Sequence, residues 1–159
     1  MTDTPTDTQA PRGPVIAVMR QYIKDLSFEN PGTQPEQQPK IDLNIDVNAT
    51  PISGEQNVFE VVLKLRARAG TEDVTLFLIE LDYAGAFRLE GFSQSDLEAA
   101  LLIECPRILF PFARRIIADV SSDGGFPPLR IDPVDFASLY QSQRQQAAQQ
   151  AAPAPTDQA

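Results

Sequence analysis

Apolar and polar residues alternate from Ile41 to Asn48: Ile41, Leu43, Ile45 and Val47 fall on one side, Asp42, Asn44, Asp46 and Asn48 on the other. Successive side chains of a strand point to opposite faces, so this period of two predicts a strand with one buried face and one wet face. The same residues match the opening of a calcium loop of the D-x-[DN]-x-[DN] type. Such a loop needs glycine at its sixth position and glutamate at its twelfth, where this chain has Val47 and Ser53. The strand is therefore the expectation, and no metal site.

The period of two returns twice. In 60–69, Val61, Leu63, Leu65, Ala67 and Ala69 share one face and Glu60, Lys64, Arg66 and Arg68 the other, with Val62 the exception. In 75–84, Phe77, Ile79, Leu81 and Tyr83 oppose Leu76, Leu78, Glu80 and Asp82. The short GTED segment at 70–73 predicts a hairpin between these strands. An earlier extended segment, 15–29, carries Ile16, Val18, Tyr22, Ile23, Leu26 and Phe28; its alternation slips near 21–23, which predicts a bulge. Residues 30–40, NPGTQPEQQPK, hold three prolines and a glycine and form a loop long enough to cross neighbouring strands.

After residue 94 the period becomes helical. Ser95 and Glu98 have the spacing of a capping box, with Leu97, Ala100 and Leu101 following on one face. Pro106 interrupts. Leu109, Phe112, Ala113, Ile116, Ile117 and Val120 then form a continuous helical stripe. Pro111 is expected in its first turn and Gly124-Gly125 at its end. Asp132 and Pro133 are expected to cap and start a last helix carrying Phe136, Leu139 and Tyr140. Strands followed by helices give an α+β fold: an antiparallel sheet whose apolar face takes the helices and whose polar face meets water.

The ends of the chain are different in kind. Residues 1–14 are polar and Pro-rich, and 142–159 are mostly Gln, Ala and Pro, so both are expected as tails around a domain at 15–141. The formal net charge is −9. That argues against nucleic acid, whose binding depends on Lys and Arg displacing counterions, and against an anionic membrane. Cys105 is the one cysteine, which fits a reducing compartment; with no apolar run of spanning length and no signal pattern, a soluble cytoplasmic protein is expected.

There is no histidine, so the usual general base and the commonest zinc ligand are missing. Arg114 and Arg115 point about 100° apart on a helix and make no clamp. Asp46, Glu80 and Asp82 read as a solvated strand face, and Cys105 as a small buried apolar residue. No catalytic residue and no cofactor are expected. The 109–120 helix has more apolar width than one small sheet requires, with Ile108, Phe110, Ile116 and Ile117 extending it, which predicts packing on another subunit.

Five segments in order, KDLSFE (24–29), EVVLKL (60–65), GAF (85–87), CPRILFPFAR (105–114) and GGFPPLRIDPVDFASLYQ (124–141), resemble the bacterial protein-export chaperone family SecB. The likeness covers 15–141. It implies a homotetramer, a dimer of dimers, that holds unfolded preproteins in an export-competent state and hands them to the ATPase SecA, without cofactor or catalysis. It implies a SecA-docking patch at Asp25, Glu29, Leu78 and Glu80, hence neighbouring first and fourth strands, a crossover at 30–40 and strand order 1-4-3-2. With family helices sandwiched between sheets, Ile79, Leu81, Ile116 and Ile117 are expected at the oligomer interface. Client contact is expected at Ile41, Phe110, Phe112 and Phe126. The chain departs from the family in having no tryptophan in the crossover loop. The alternative is a SecB-like adaptor or toxin–antitoxin chaperone with a narrow partner range.

Overall fold

The computed structural model describes residues 13–151. Four strands come first: β1 (Val15–Glu29), β2 (Lys40–Pro51), β3 (Val58–Gly70) and β4 (Thr75–Glu90). They form one antiparallel sheet in the order β1-β4-β3-β2. This is the order expected. Consecutive strands β1 and β2 lie on opposite edges, so the Pro-rich segment between them spans the sheet.

The alternation sorts the sheet as expected. Val61, Leu63, Leu65 and Ala67 of β3 and Phe77, Ile79, Leu81 and Tyr83 of β4 are buried on one face. β4 continues past the predicted limit of residue 84, with Phe87 and Leu89 keeping the inward parity. Gly85 and the alanines around it resemble a strand end in the sequence, but their smallness answers to packing. A Cβ on Gly85 would lie 2.7 Å from the Phe87 ring and 3.0 Å from Leu109 of the overlying helix. Backbone approaches this close are where a strand glycine belongs.

β1 departs from the regular ladder twice. Its register against β4 shifts between Val18 and Arg20 and again between Ile23 and Asp25. The one bulge expected at 21–23 is thus a pair flanking that segment, with Met19 and Lys24 as the extra residues.

The helical layer begins with α1 (Gln94–Ala99), widens into a π-helical segment (Ala100–Glu104) and continues as α2 (Cys105–Asp123). Pro106 therefore does not interrupt the helix. A proline lacks the N–H and crowds the preceding turn; here the wide turn precedes it, with the Cys105 N–H donating to the Ala100 carbonyl five residues back. Pro106 sits in the first turn of α2, whereas Pro111, expected there, lies inside the helix on its exposed side. The N-cap is Ser93, which accepts from the Asp96 N–H at 3.3 Å, so the capping signal lies two residues before the expected Ser95. At the other end Gly124 caps α2, and a Cβ there would strike the Phe28 ring at 2.1 Å.

α2 lies across the inner faces of β4 and β3, where Leu109, Ala113 and Ile117 are fully buried. Each such Leu or Ile is worth about 1.5–3 kcal/mol relative to an exposed one. Ser121 ties the return segment to this helix: its hydroxyl donates to the Ile117 carbonyl and accepts from the Leu129 N–H, both at 2.8 Å. The last helix, α3 (Phe136–Ala151), is capped by Asp135, whose carboxylate accepts from the Ser138 N–H at 3.1 Å, not by Asp132. Phe136 anchors it edge-on to Phe110, with ring centres 5.9 Å apart. α3 runs through the domain limit expected at 141. The expected N-terminal tail lies outside the described residues up to residue 12, as do residues 152–159 of the C-terminal one.

Candidate functional site

The face of the sheet away from the helices is organised in rows, because each β1 residue stands beside a β4 residue, then β3, then β2. The register gives Glu29, Leu78, Arg68, Asp42 as one row, Ser27, Glu80, Arg66, Asn44 as the next, and Asp25, Asp82, Lys64, Asp46 as the third. Acids on β1, β4 and β2 thus flank a basic stripe on β3. The face is not uniformly acidic: Arg66 bridges to Glu80 at 3.2 Å, and Arg68 reaches Asp42 at 4.0 Å. Asp46 and Asp82 are separated by Lys64, so the three strand carboxylates do not converge as a catalytic group would.

Asp25, Glu29, Leu78 and Glu80 are together in these rows. Leu78 is half-buried, beside Glu29 on β1 and Arg68 on β3. Asp82, opposite Asp25, joins them; the sequence places it on the same wet face without singling it out for the patch.

The next two rows have small centres: Tyr22, Ala84, Val62, Asn48, then Arg20, Ala86, Glu60, Thr50. Ala84 and Ala86 are buried beneath longer side chains that cross them. The Tyr22 hydroxyl donates to one oxygen of Glu60, and the Lys24 ammonium donates to the other. The Arg20 guanidinium lies 5.1 Å from the Tyr22 ring centre. Hydrogen bonds from Lys24 and Tyr22 hold the Glu60 carboxyl below the ordinary glutamate range. Burial, reinforced by the hydrogen bond to Glu60, pushes the Tyr22 hydroxyl up to about 12. Sequence reasoning assigned Glu60 only to the polar side of β3; its partners are some 36 residues away or more along the chain, and no local pattern identifies them.

The helix-side face is apolar and incompletely covered. α2 reaches over β4 and β3, leaving Val18, Ile23 and Leu26 of β1 exposed beside Phe112, which is 43% exposed and stacked on Tyr83 at 6.2 Å. At the other edge Ile41 and Leu43 are exposed. Of the expected client residues, Phe112 and Ile41 are therefore accessible. Phe126 is half-buried in a cluster with Phe77 at 4.8 Å and Phe28 at 6.4 Å. Phe110 is core, 9% exposed against Phe136. Ile79, Leu81 and Ile117, expected at the oligomer interface, are fully buried within this chain, between the sheet and α2. Ile116 is half-exposed.

Cys105 is buried, and desolvation, with the Glu104 charge adding to it, pushes its thiol up to about 12, where it is a poor nucleophile. Among the described residues no group of three or more His, Cys, Asp or Glu could hold a metal ion, and no helix is long and apolar enough to cross a membrane.

One apolar face left open at its edges and one face of ordered charge are surfaces for contact with other polypeptides. Comparison with known proteins agrees. Residues 9–147 match the family model described as preprotein translocase subunit SecB. The protein-export protein SecB of Hyphomonas neptunium is 58% identical over 95% of both chains, and that of Maricaulis maris is 52% identical over 98% of this chain and 92% of its own. A Mycobacterium tuberculosis SecB-like chaperone, solved in complex with a ChAD peptide from an antitoxin, superposes with a TM-score of 0.63 at 14% identity. It covers 75% of this chain and 90% of its own, and it supports the fold. The chain belongs to the SecB family of protein-export chaperones.

Proposed function

We propose that this chain holds unfolded preproteins on its apolar side and delivers them to SecA through the outer face, as a cytoplasmic homotetramer built as a dimer of dimers. The observation that carries the docking half is the β1–β4 register, with Glu29 beside Leu78, Ser27 beside Glu80 and Asp25 beside Asp82. It brings Asp25, Glu29, Leu78 and Glu80 together, an apolar residue with acids on its β1 side and Arg68 on its β3 side, which is the composition of a contact steered by charge and anchored by an apolar residue. The docking partner's complementary surface is basic.

Exposed Val18, Ile23 and Leu26, with half-exposed Ile116, support assembly through the helix side. Exposed Ile41 and Phe112 and half-buried Phe126 support client contact there. The reading involves no catalysis and no cofactor.

The test is binding to several unrelated proteins, chemically unfolded, with their folded forms as controls. Binding of all the unfolded forms and none of the folded ones is expected. Binding of a single partner would favour the narrow adaptor instead.

A further inference from the structure

Asp25 and Glu29 face outward because a second inserted residue, Lys24, undoes the change of parity that the first, Met19, introduces. Tyr22 points to the outer face opposite Ala84, and Ile23 points inward opposite Tyr83. Lys24 then has no partner of its own, and Asp25 is opposite Asp82. In an unbroken strand the alternation from Tyr22 would carry Lys24, Leu26 and Phe28 outward and turn Asp25, Ser27 and Glu29 toward the helices. A one-residue slip exchanges the two faces of a strand. The Lys24 bulge restores the parity that puts Leu26 and Phe28 inside and the acids outside.

A bulge interrupts the ladder and leaves its extra residue unpaired. What steadies this one comes from two strands away. The residues on either side of Ile23, Tyr22 and Lys24, each donate to a different oxygen of Glu60 on β3. Their side chains cross β4 where it carries only Ala84 and Ala86. The Arg20 guanidinium over the Tyr22 ring closes the other side. The Glu60 carboxyl is held in its charged form by the same two donors.

We propose that Glu60 is a positioning residue for partner docking: by clamping Tyr22 and Lys24 it fixes the bulge, and through the bulge it holds Asp25 and Glu29 on the outer face beside Leu78 and Glu80. Glu60 acts through β1 and does not itself belong to the patch. The proposal rests on the docking assignment above, and the experiment separates the two.

Affinity for purified SecA is measured for the unmodified chain and for Glu80→Lys, Glu60→Ala, Lys24→Met and the charge-swapped double variant Lys24→Glu with Glu60→Lys, each checked for an intact fold by circular dichroism. Amide hydrogen exchange is followed over residues 25–29 and over β2 as an internal control. Glu60→Ala and Lys24→Met should each weaken binding roughly three- to tenfold, the scale of one link in a coupled network. Exchange should quicken at 25–29 and stay unchanged in β2. The swapped pair should recover part of both losses, which a simple loss of stability would not allow. Glu60→Ala binding as tightly as the unmodified chain, while Glu80→Lys is impaired, would overturn the clamp. Glu80→Lys binding normally would instead overturn the docking assignment, and the exchange data would still decide whether Glu60 holds the bulge.

Discussion

β1 and β2 occupy the two edges of one sheet, each hydrogen-bonded on one side only, and they are built in different ways. β2 pairs with β3 without a break from Lys40 opposite Gly70 to Pro51 opposite Phe59. β1 is longer and breaks its register twice. β2 buries Val47, while no residue of β1 is fully buried. β1 is held by ties at separate points: the Tyr22 and Lys24 donors on the outer side, and Phe28 packed on Phe77 and Gly124 on the inner side. A regular edge fixes its faces by alternation alone. A bulged edge can re-aim part of its length, and then needs side chains to secure it.

Removing one of the ties on β1 has the largest expected effect. Phe28→Ala deletes the ring that lies over Gly124 and contacts Phe77 and Phe126, and should destabilise the protein by about 3 kcal/mol. The matching change on β2, Leu43→Ala, removes a side chain that is 36% exposed and should cost about 0.5 kcal/mol or less. Urea unfolding of both variants at one protein concentration measures this. Equal losses would mean that another layer covers β2 in solution.

A smaller effect comes from Glu60. Its carboxyl is held below the ordinary value of 4.5, so its contribution is present above that value and fades as the pH falls through the lower folded-state value. Glu60→Gln should therefore be less stable than the unmodified chain at neutral pH, by no more than about 1 kcal/mol after solvent screening. The gap should close in acid. Thermal unfolding across pH 7 to 3, roughly the span over which carboxylates titrate, reads the sign; a gap that widens in acid would contradict the clamp.

The smallest effect concerns the outer rows. Arg66 neutralises Glu80 within the chain, and exposed pairs of this kind are worth about 0–1 kcal/mol. Arg66→Ala should leave stability almost unchanged and strengthen SecA binding about two- to fivefold by freeing Glu80 for the partner's cation. Weaker binding would mean that Arg66 is itself part of the contact.

How far the sequence could be read follows the same division. β2, β3 and the first half of β4 are legible because their alternation is unbroken and their faces differ in polarity. The second half of β4 was missed, since Ala84, Gly85 and Ala86 look like a turn until Tyr22 and Lys24 are seen crossing above and Leu109 below. β1 can be read only as irregular, because the partner of Tyr22 and Lys24 on either side of Ile23 is Glu60, two strands away. The helix caps lie two or three residues from their expected places, as Ser93 and Ser95, or Asp132 and Asp135, are locally equivalent acceptors for a cap. Pro106 looked like a break because a wide turn leaves no mark in the apolar period. Strand order and the patch at Asp25, Glu29, Leu78 and Glu80 came from the family resemblance, with alternation supplying only that Leu78 and Glu80 share the wet face. The width of α2 predicts a subunit contact; Ile117 lies in the chain's own core, and the large apolar residues left exposed are on β1, at Ile41 and Leu43 of β2 and at Phe112 of α2.

In the proposed function one sheet separates two kinds of contact, unfolded clients on the helix side and SecA on the charged side. This division is tested most directly by measuring both affinities on one Glu80→Lys protein that has been shown to keep its assembly state. SecA binding should weaken by about 1–3 kcal/mol, the scale of one well-placed interface contact, and more at low salt than at high, while client binding stays unchanged. Unchanged SecA affinity, or an equal loss of both, would contradict the division.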